Sequence, residues 1–516
     1  MLKRSGSKKG GRGSSGGLLS TARRRGAASA AAVLVVSLAA SSPAGAATAP
    51  EAPVLTQQTV RVGDRTLAYA AEVGRIPIRD VETGEPHGFM GYIAYRVRTK
   101  GPPRPLTFVW NGGPGADSST LHFEVVGPKR GEGAGLVDNA ETWLADTDLV
   151  FVDPIGTGFS RPARAEYAQE FYSTVGDVAS VAEFVRSWRL LHGAEDAPIF
   201  LAGESWGAGR AGSVGYALLK RGVPVKGLVL ISGGSGLPAA YGAPELLAAL
   251  RVADLAPVAL FHGRLPPELG RDADAARRNA AAWARETYAP ALARAASLSE
   301  DERSRIVGEL SRRTGMPADQ IDRKTLAFGP RAYRTALLGE PAKVLNVFDM
   351  RKVADPPRAF NPAILRYLRG ALAYHTDLPY LGVEGLRDGF APGGKPPEGP
   401  GARWDYATAP VSEAERAAAM QAAMASGSGP PRLGPPLPST AEAVALNPDL
   451  KVLVAAGSFD SLNSCSSNGE VARNLPTPLK GAVTFKCYEG GHMFYRDQPS
   501  RLAFSRDIRA LLDAAK

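Results

Sequence analysis

Cysteine is nearly absent: the 516 residues hold two, Cys465 and Cys487. That excludes a disulfide-built scaffold and a Cys-rich metal centre. It leaves either one internal bridge or two buried thiols. Neither an H-E-x-x-H motif nor a Cys/His cluster with ligand spacing occurs, so the chain calls for no metal and no other cofactor. Without an internal repeat of 20–50 residues, solenoids and propellers drop out. Long apolar runs are missing too. The most apolar stretch near the N-terminus, Ala27–Ala40, is broken by Ser29 and Ser37. As a helix it would span about 21 Å against a bilayer core of ~30 Å, too short for a permanent membrane anchor. Acidic residues are wholly absent from positions 1–46, which hold eight Lys or Arg. Removing those eight from the net charge of +10 leaves the rest of the chain at +2. No basic stripe with interleaved aromatics remains, which argues against nucleic-acid binding.

What is present at the N-terminus reads as an export signal. Arg23–Arg25 precede the apolar run, and the small residues of Ser41–Ala46 end it as a cleavage site. The expectation is a product exported to the periplasm or the cell exterior. The length suits a large core with a substantial insertion, and 44% apolar and 22% charged residues describe an ordinary globular chain.

Residues 57–99 read as short alternating strands separated by turns, with Thr59–Val62, Thr66–Ala71 and Phe89–Val97 the candidates. Widely spaced strands follow at Leu106–Trp110, Asp148–Val152, Ile199–Ala202, Leu228–Ile231, Val452–Ala455 and Val483–Cys487. Several are continuous apolar runs, as strands buried on both faces of a parallel sheet are. Helical patterns at Val175–Leu191 and Gly209–Leu219 lie between them, which implies an α/β sheet with right-handed crossovers. The predicted organisation is a signal at 1–46, a core from 47–236 and 450–516, and a largely helical cap insertion at 237–449. In that insertion Ala273–Tyr288 and Glu300–Arg313 are the predicted helices, with Pro290 stopping the first. Asp388–Arg403 and Ala425–Pro438 are the predicted Gly/Pro-rich loops.

The chemistry concentrates at Gly203-Glu204-Ser205-Trp206-Gly207, a G-x-S-x-G sequence set between a strand and a helix. A nucleophile on so sharp a turn needs small neighbours, and the helix start behind Ser205 favours a developing negative charge. A serine hydroxyl also needs a base. Of six histidines only His492, in Gly490-Gly491-His492-Met493, follows the predicted strand at Val483–Cys487. Asp460 closes Ala456–Asp460 at the C-terminal edge of a strand, where α/β sheets present their sites, and precedes His492. Ser205, Asp460 and His492 are therefore the predicted triad. Asn111-Gly112-Gly113-Pro114-Gly115, directly after a strand, supplies backbone N–H groups for an oxyanion.

Together these motifs resemble the serine carboxypeptidase family of the α/β-hydrolase superfamily. The matching residues are Trp110–Ser119, Asn139–Asp148, Val152–Ser160, Gly203–Gly207, Ala456–Asp460 and Gly490–Met493, in the family's order. The resemblance implies an α/β-hydrolase fold with a mostly parallel sheet. It also implies removal of C-terminal residues from peptides through an acyl-enzyme, with an acidic preference. Carried onto this chain, Asn111 and a protonated Glu204 would bind the substrate's terminal carboxylate, because two charged carboxylates cannot share a site. Gly113 and Trp206 would form the oxyanion hole. Trp206 stands where many eukaryotic members have Tyr, and Ala116-Asp117-Ser118-Ser119 where they have Cys-Ser-Ser, a variant closer to bacterial members. Glu124 stands one position away from a further carboxylate-binding Glu of the family. The competing readings are an esterase or acyltransferase using the same triad, and a binding protein with a decayed site.

Overall fold

A computed structural model describes residues 52–233, 237, 241–340, 342–354, 362–383, 399–426, 431 and 433–515. The predicted export signal at 1–46, and most of the predicted Gly/Pro-rich loops, lie outside the described residues. Twelve strands are described: β1 (Val54–Val62), β2 (Arg65–Arg79), β3 (Pro86–Arg96), β4 (Leu106–Trp110), β5 (Lys129–Glu132), β6 (Gly135–Asp138), β7 (Asp148–Asp153), β8 (Arg161–Pro162), β9 (Ile199–Glu204), β10 (Val225–Ile231), β11 (Lys451–Gly457) and β12 (Val483–Tyr488). The main sheet runs β1-β2-β3-β7-β4-β9-β10-β11-β12, with β8 paired to β3 and β5-β6 a separate hairpin. From β7 to β12 every pairing is parallel, while β1, β2, β3 and β7 pair antiparallel. This is the α/β-hydrolase arrangement.

The central strands read as unbroken apolar runs because both their faces are covered. Phe108 and Trp110 of β4 and Leu201 of β9 pack into one cluster with Phe184, Val185 and Trp188. Their neighbours Val109, Phe200 and Ala202 point the other way, into a cluster with Phe504, Ile508 and Leu512. The period of two along each strand thus builds two cores, one per face.

The helix Thr174–Leu191 is capped by Ser173, whose hydroxyl accepts from Gly176 N at 3.1 Å. The helix Trp206–Lys220 begins directly after Ser205, three residues before its sequence prediction. Residues 237–449 do not pack as one unit. Helices between Pro244 and Thr314 form a cluster of their own with Met350 and Phe459. Ile364, Leu365, Tyr367 and Tyr380 join one sheet core, and Trp404, Ala443 and Val444 join the other.

One prediction inside this region is corrected. Pro290 does not stop the helix: Ala273–Trp283 passes through a π turn, Ala284–Tyr288, into Ala289–Ala293. The Ala289 N–H reaches back to Ala284 O, and the widened turn makes room for a proline ring that an α turn would reject. Of the predicted loop Asp388–Arg403, residues 399–403 are described; they include a 3-10 turn, Pro400–Arg403, in which Pro400 is buried. The helix Glu300–Thr314 follows its pattern, with a Ser299/Glu302 capping box and Gly315 in the left-handed conformation at its end.

Candidate active site

Ser205 sits between β9 and the helix Trp206–Lys220 at φ 58° and ψ −127°, a backbone conformation that costs energy for any residue with a side chain. Its N–H donates to Ile231 O at 2.8 Å, tying the turn to β10. The turn closes only because its flanks are bare. A Cβ on Gly203 would lie 1.9 Å from Gly207 O, and one on Gly207 would lie 2.6 Å from Asn111 O.

Asp460 and His492 come together from the ends of β11 and β12. His492 Nδ1 and Asp460 Oδ2 are 2.7 Å apart, and both side chains are almost fully buried. Burial pulls the ring's pKa down. The charge and hydrogen bond of Asp460, with Glu204 adding to them, outweigh this and hold it above the ordinary histidine value. Since Nδ1 faces a carboxylate it carries the proton, so in the neutral ring Nε2 is the basic nitrogen. Nε2 is buried and, among the described residues, makes no hydrogen bond, Ser205 Oγ included.

Two further residues brace the pair. Ser232, at φ 46°, donates from its N–H to Ala455 O at 2.8 Å and from its hydroxyl to His492 O at 2.5 Å. The Asn463 amide donates to Ser232 O and to Asp460 Oδ2, both at 2.7 Å. The segment before residue 350 adds a wall: Phe348 O accepts from His492 N, and the Phe348 and His492 rings lie 5.3 Å apart.

Beside Ser205, Asn111 Nδ2 donates to Glu204 Oε1 at 2.9 Å, while Asn111 Oδ1 accepts from Leu121 N at 3.0 Å. The Tyr495 hydroxyl donates to Glu204 Oε2. Burial raises the Glu204 carboxyl to about 7, against the pull of His492 and the Tyr495 hydrogen bond. Glu204 is therefore a neutral acid through the mildly acidic range. Gly112 lies against the elbow, where an added Cβ would sit 2.5 Å from Trp206 N. That places the Gly113 turn, at φ 103°, next to the Trp206 N–H. The Trp206 ring is held edge-on by Trp404 at 5.9 Å and Tyr406 at 5.7 Å.

Glu124 lies on a π turn, His122–Val126, and makes a two-pronged pair with Arg496: Nε–Oε2 2.6 Å and Nη2–Oε1 2.7 Å. A disulfide joins Cys465 to Cys487, with Cα atoms 5.7 Å apart. Among the described residues no His, Cys, Asp and Glu group could hold a metal ion, and no helix is long and apolar enough to cross a membrane.

The arrangement thus sets a strained serine, a carboxylate-oriented imidazole and a neutral acid at one sheet edge. The model of the serine carboxypeptidase family matches residues 83–218, from the turn before β3 into the helix that follows Ser205. The chain is similar to the serine carboxypeptidases. Serine carboxypeptidase-like 50 of Arabidopsis thaliana is 30% identical over 178 residues, covering 32% of this chain and 38% of that protein. Pheromone-processing carboxypeptidase KEX1 of Verticillium alfalfae is 32% identical over 120 residues, 23% of this chain and 19% of that protein. The matches thus span well under half the length of either relative. Among solved structures, a prohormone-processing carboxypeptidase of Saccharomyces cerevisiae, Kex1(Δ)p, aligns over 87% of this chain and 91% of its own, at 15% identity and a TM-score of 0.46.

Sequence reasoning left out Tyr495, Arg496, Ser232, Asn463 and Phe348. Tyr495 and Arg496 stand three and four residues past His492, close enough to have been considered with it. Ser232 directly follows a strand the sequence did place. Phe348 lies in a stretch with no recognisable pattern.

Proposed function

We propose that this chain is an exported serine-type carboxypeptidase, removing C-terminal residues from peptides through an acyl-enzyme. The observation that carries the reading is the buried Glu204 carboxyl, bonded to Asn111 and adjoining Ser205 in the chain. A neutral acid beside a nucleophile suits a substrate that brings its own carboxylate.

In the proposed reaction Ser205 Oγ attacks the last peptide carbonyl as His492 Nε2 takes its proton. Asp460 keeps the ring oriented and stabilises its cation. The N–H groups of Gly113 and Trp206 receive the oxyanion. His492 returns the proton to the departing amine, and water, activated by the same ring, releases the shortened peptide from Ser205. Asn111 and protonated Glu204 hold the terminal carboxylate and so restrict attack to the last bond. Export is supported by the disulfide, a bond that persists in oxidising compartments.

The test is mass spectrometry of products from a peptide library with free and amidated C-termini, with Ser205→Ala as control. Loss of single residues from free-acid peptides alone is the expected result. Equal turnover of amidated peptides would refute the exopeptidase reading, and an active Ser205→Ala protein would refute the nucleophile.

A further inference from the structure

Asn111 and Glu204 can hold a carboxylate only while Glu204 keeps its proton, yet the loop that carries His492 also brings a group that stays charged at every working pH. We propose that Arg496 is a specificity-determining residue whose guanidinium binds the substrate's terminal carboxylate alongside Asn111 and Glu204. The proposal rests on the carboxypeptidase reading and extends it.

Three observations carry it. First, position: Arg496 closes the turn Phe494–Arg496, and its neighbour Tyr495 bonds directly to Glu204. Second, orientation: Nε and Nη2 form the fork to Glu124, which fixes the guanidinium plane and leaves Nη1 outside the pair. A planar fork held in this way is suited to a second carboxylate on its free edge. Third, reach: the guanidinium's field acts on both Glu204 and His492, the two buried titratable groups on either side of the nucleophile. The other charges here are Glu124, which is paired to Arg496, and Asp460, which is paired to His492. Arg496 is about one-third exposed and so open to a ligand. A partly exposed pair of this kind contributes little to the stability of the fold.

The experiment measures kcat and KM for an N-blocked dipeptide with a free carboxylate and for an N-blocked amino-acid ester, which has none. Wild type is compared with Arg496→Gln, Arg496→Lys and the double variant Glu124→Gln/Arg496→Gln. Loss of a charged hydrogen bond corresponds to about 10- to 100-fold. Arg496→Gln should raise KM for the dipeptide by that factor, with kcat within about two-fold, and lower the dipeptide-to-ester ratio of kcat/KM accordingly. Lysine should recover part of the loss, and the double variant should stay impaired. An unchanged dipeptide KM in Arg496→Gln overturns the proposal. So does recovery in the double variant, which would show that a stranded Glu124 was repelling substrate. An equal loss on the ester overturns it in favour of a structural role. A wild type that already treats dipeptide and ester alike sinks the carboxypeptidase reading itself, a result separate from these.

Discussion

Ser205 is flanked by two buried groups that titrate in opposite senses for catalysis. His492 must be neutral to act as base, and its pKa is held above the ordinary value, so activity should fall as the solution is acidified through that raised pKa. Glu204 must be protonated to admit a terminal carboxylate, and its pKa is near 7 through burial. Free-acid peptides should therefore show a bell-shaped kcat/KM profile with an upper limb near pH 7, while an ester substrate shows the lower limb only. Glu204→Gln, neutral at every pH, should remove the upper limb for peptides; a limb that persists in that variant would assign it elsewhere. Asn463 offers a second test. Its amide bonds to the Asp460 carboxylate, a contact worth about 1.5–3 kcal/mol. Asn463→Ala should lower kcat about 10- to 100-fold with KM little changed, and an unaltered kcat would leave Asn463 without a positioning role. The pairing of Asp460 with His492 was legible because each follows a strand end, and Ser205 because a G-x-S-x-G turn marks it. Asn463 and Ser232 were not, because what recommends them is a shared carbonyl between loops 231 residues apart.

Helices on the sheet do more than cover it. Thr174–Leu191 and Trp206–Lys220 are joined by Asp177 and Arg210, whose side chains are essentially inaccessible, at 2.6 Å. Arg210 Nη1 also donates to Asn111 O at 2.7 Å, so this pair holds the loop that positions Asn111 and Gly113. Burial raises the Asp177 carboxyl in spite of Arg210, which shows how much desolvation the pair withstands. Removing one partner leaves the other charge buried and alone, a loss of about 3–5 kcal/mol. Asp177→Ala should be destabilised by that amount in urea unfolding; a change under about 1 kcal/mol would mean water reaches Arg210 in the variant. The strands were legible as elements because both-face burial writes an unbroken apolar run. The π turns at Ala284–Tyr288 and His122–Val126 were not, since one inserted residue leaves the apolar pattern almost unaltered.

Across the whole molecule, the described residues between 237 and 449 pack against different parts of the sheet, which composition alone could not divide. Residues 362–383 fill one sheet core, Trp404 and Tyr406 cover the nucleophile's neighbour, and the segment around Phe348 walls the His492 loop. Their contacts are made with distant strands, so no local period announces them. The cysteine count, by contrast, had already limited the covalent possibilities to one bridge. Its placement has a mechanical meaning. Cys465 begins the helix after the Asp460 loop, and Cys487 lies on β12 just before the His492 loop. The disulfide therefore ties together the two segments that carry Asp460 and His492. Closing a loop over a separation of 22 residues restricts the unfolded chain by about 3 kcal/mol in the chain-entropy account. Replacing both cysteines by alanine should lower unfolding free energy by roughly that amount while leaving kcat near wild type, because the Asp460–His492 contact is also held by Asn463 and Ser232. Urea titration and peptide kinetics on the same preparation separate the two effects. Unchanged stability would remove the bridge's structural role, and a collapse of kcat in still-folded protein would show that the bridge, rather than the hydrogen bonds, aligns the imidazole.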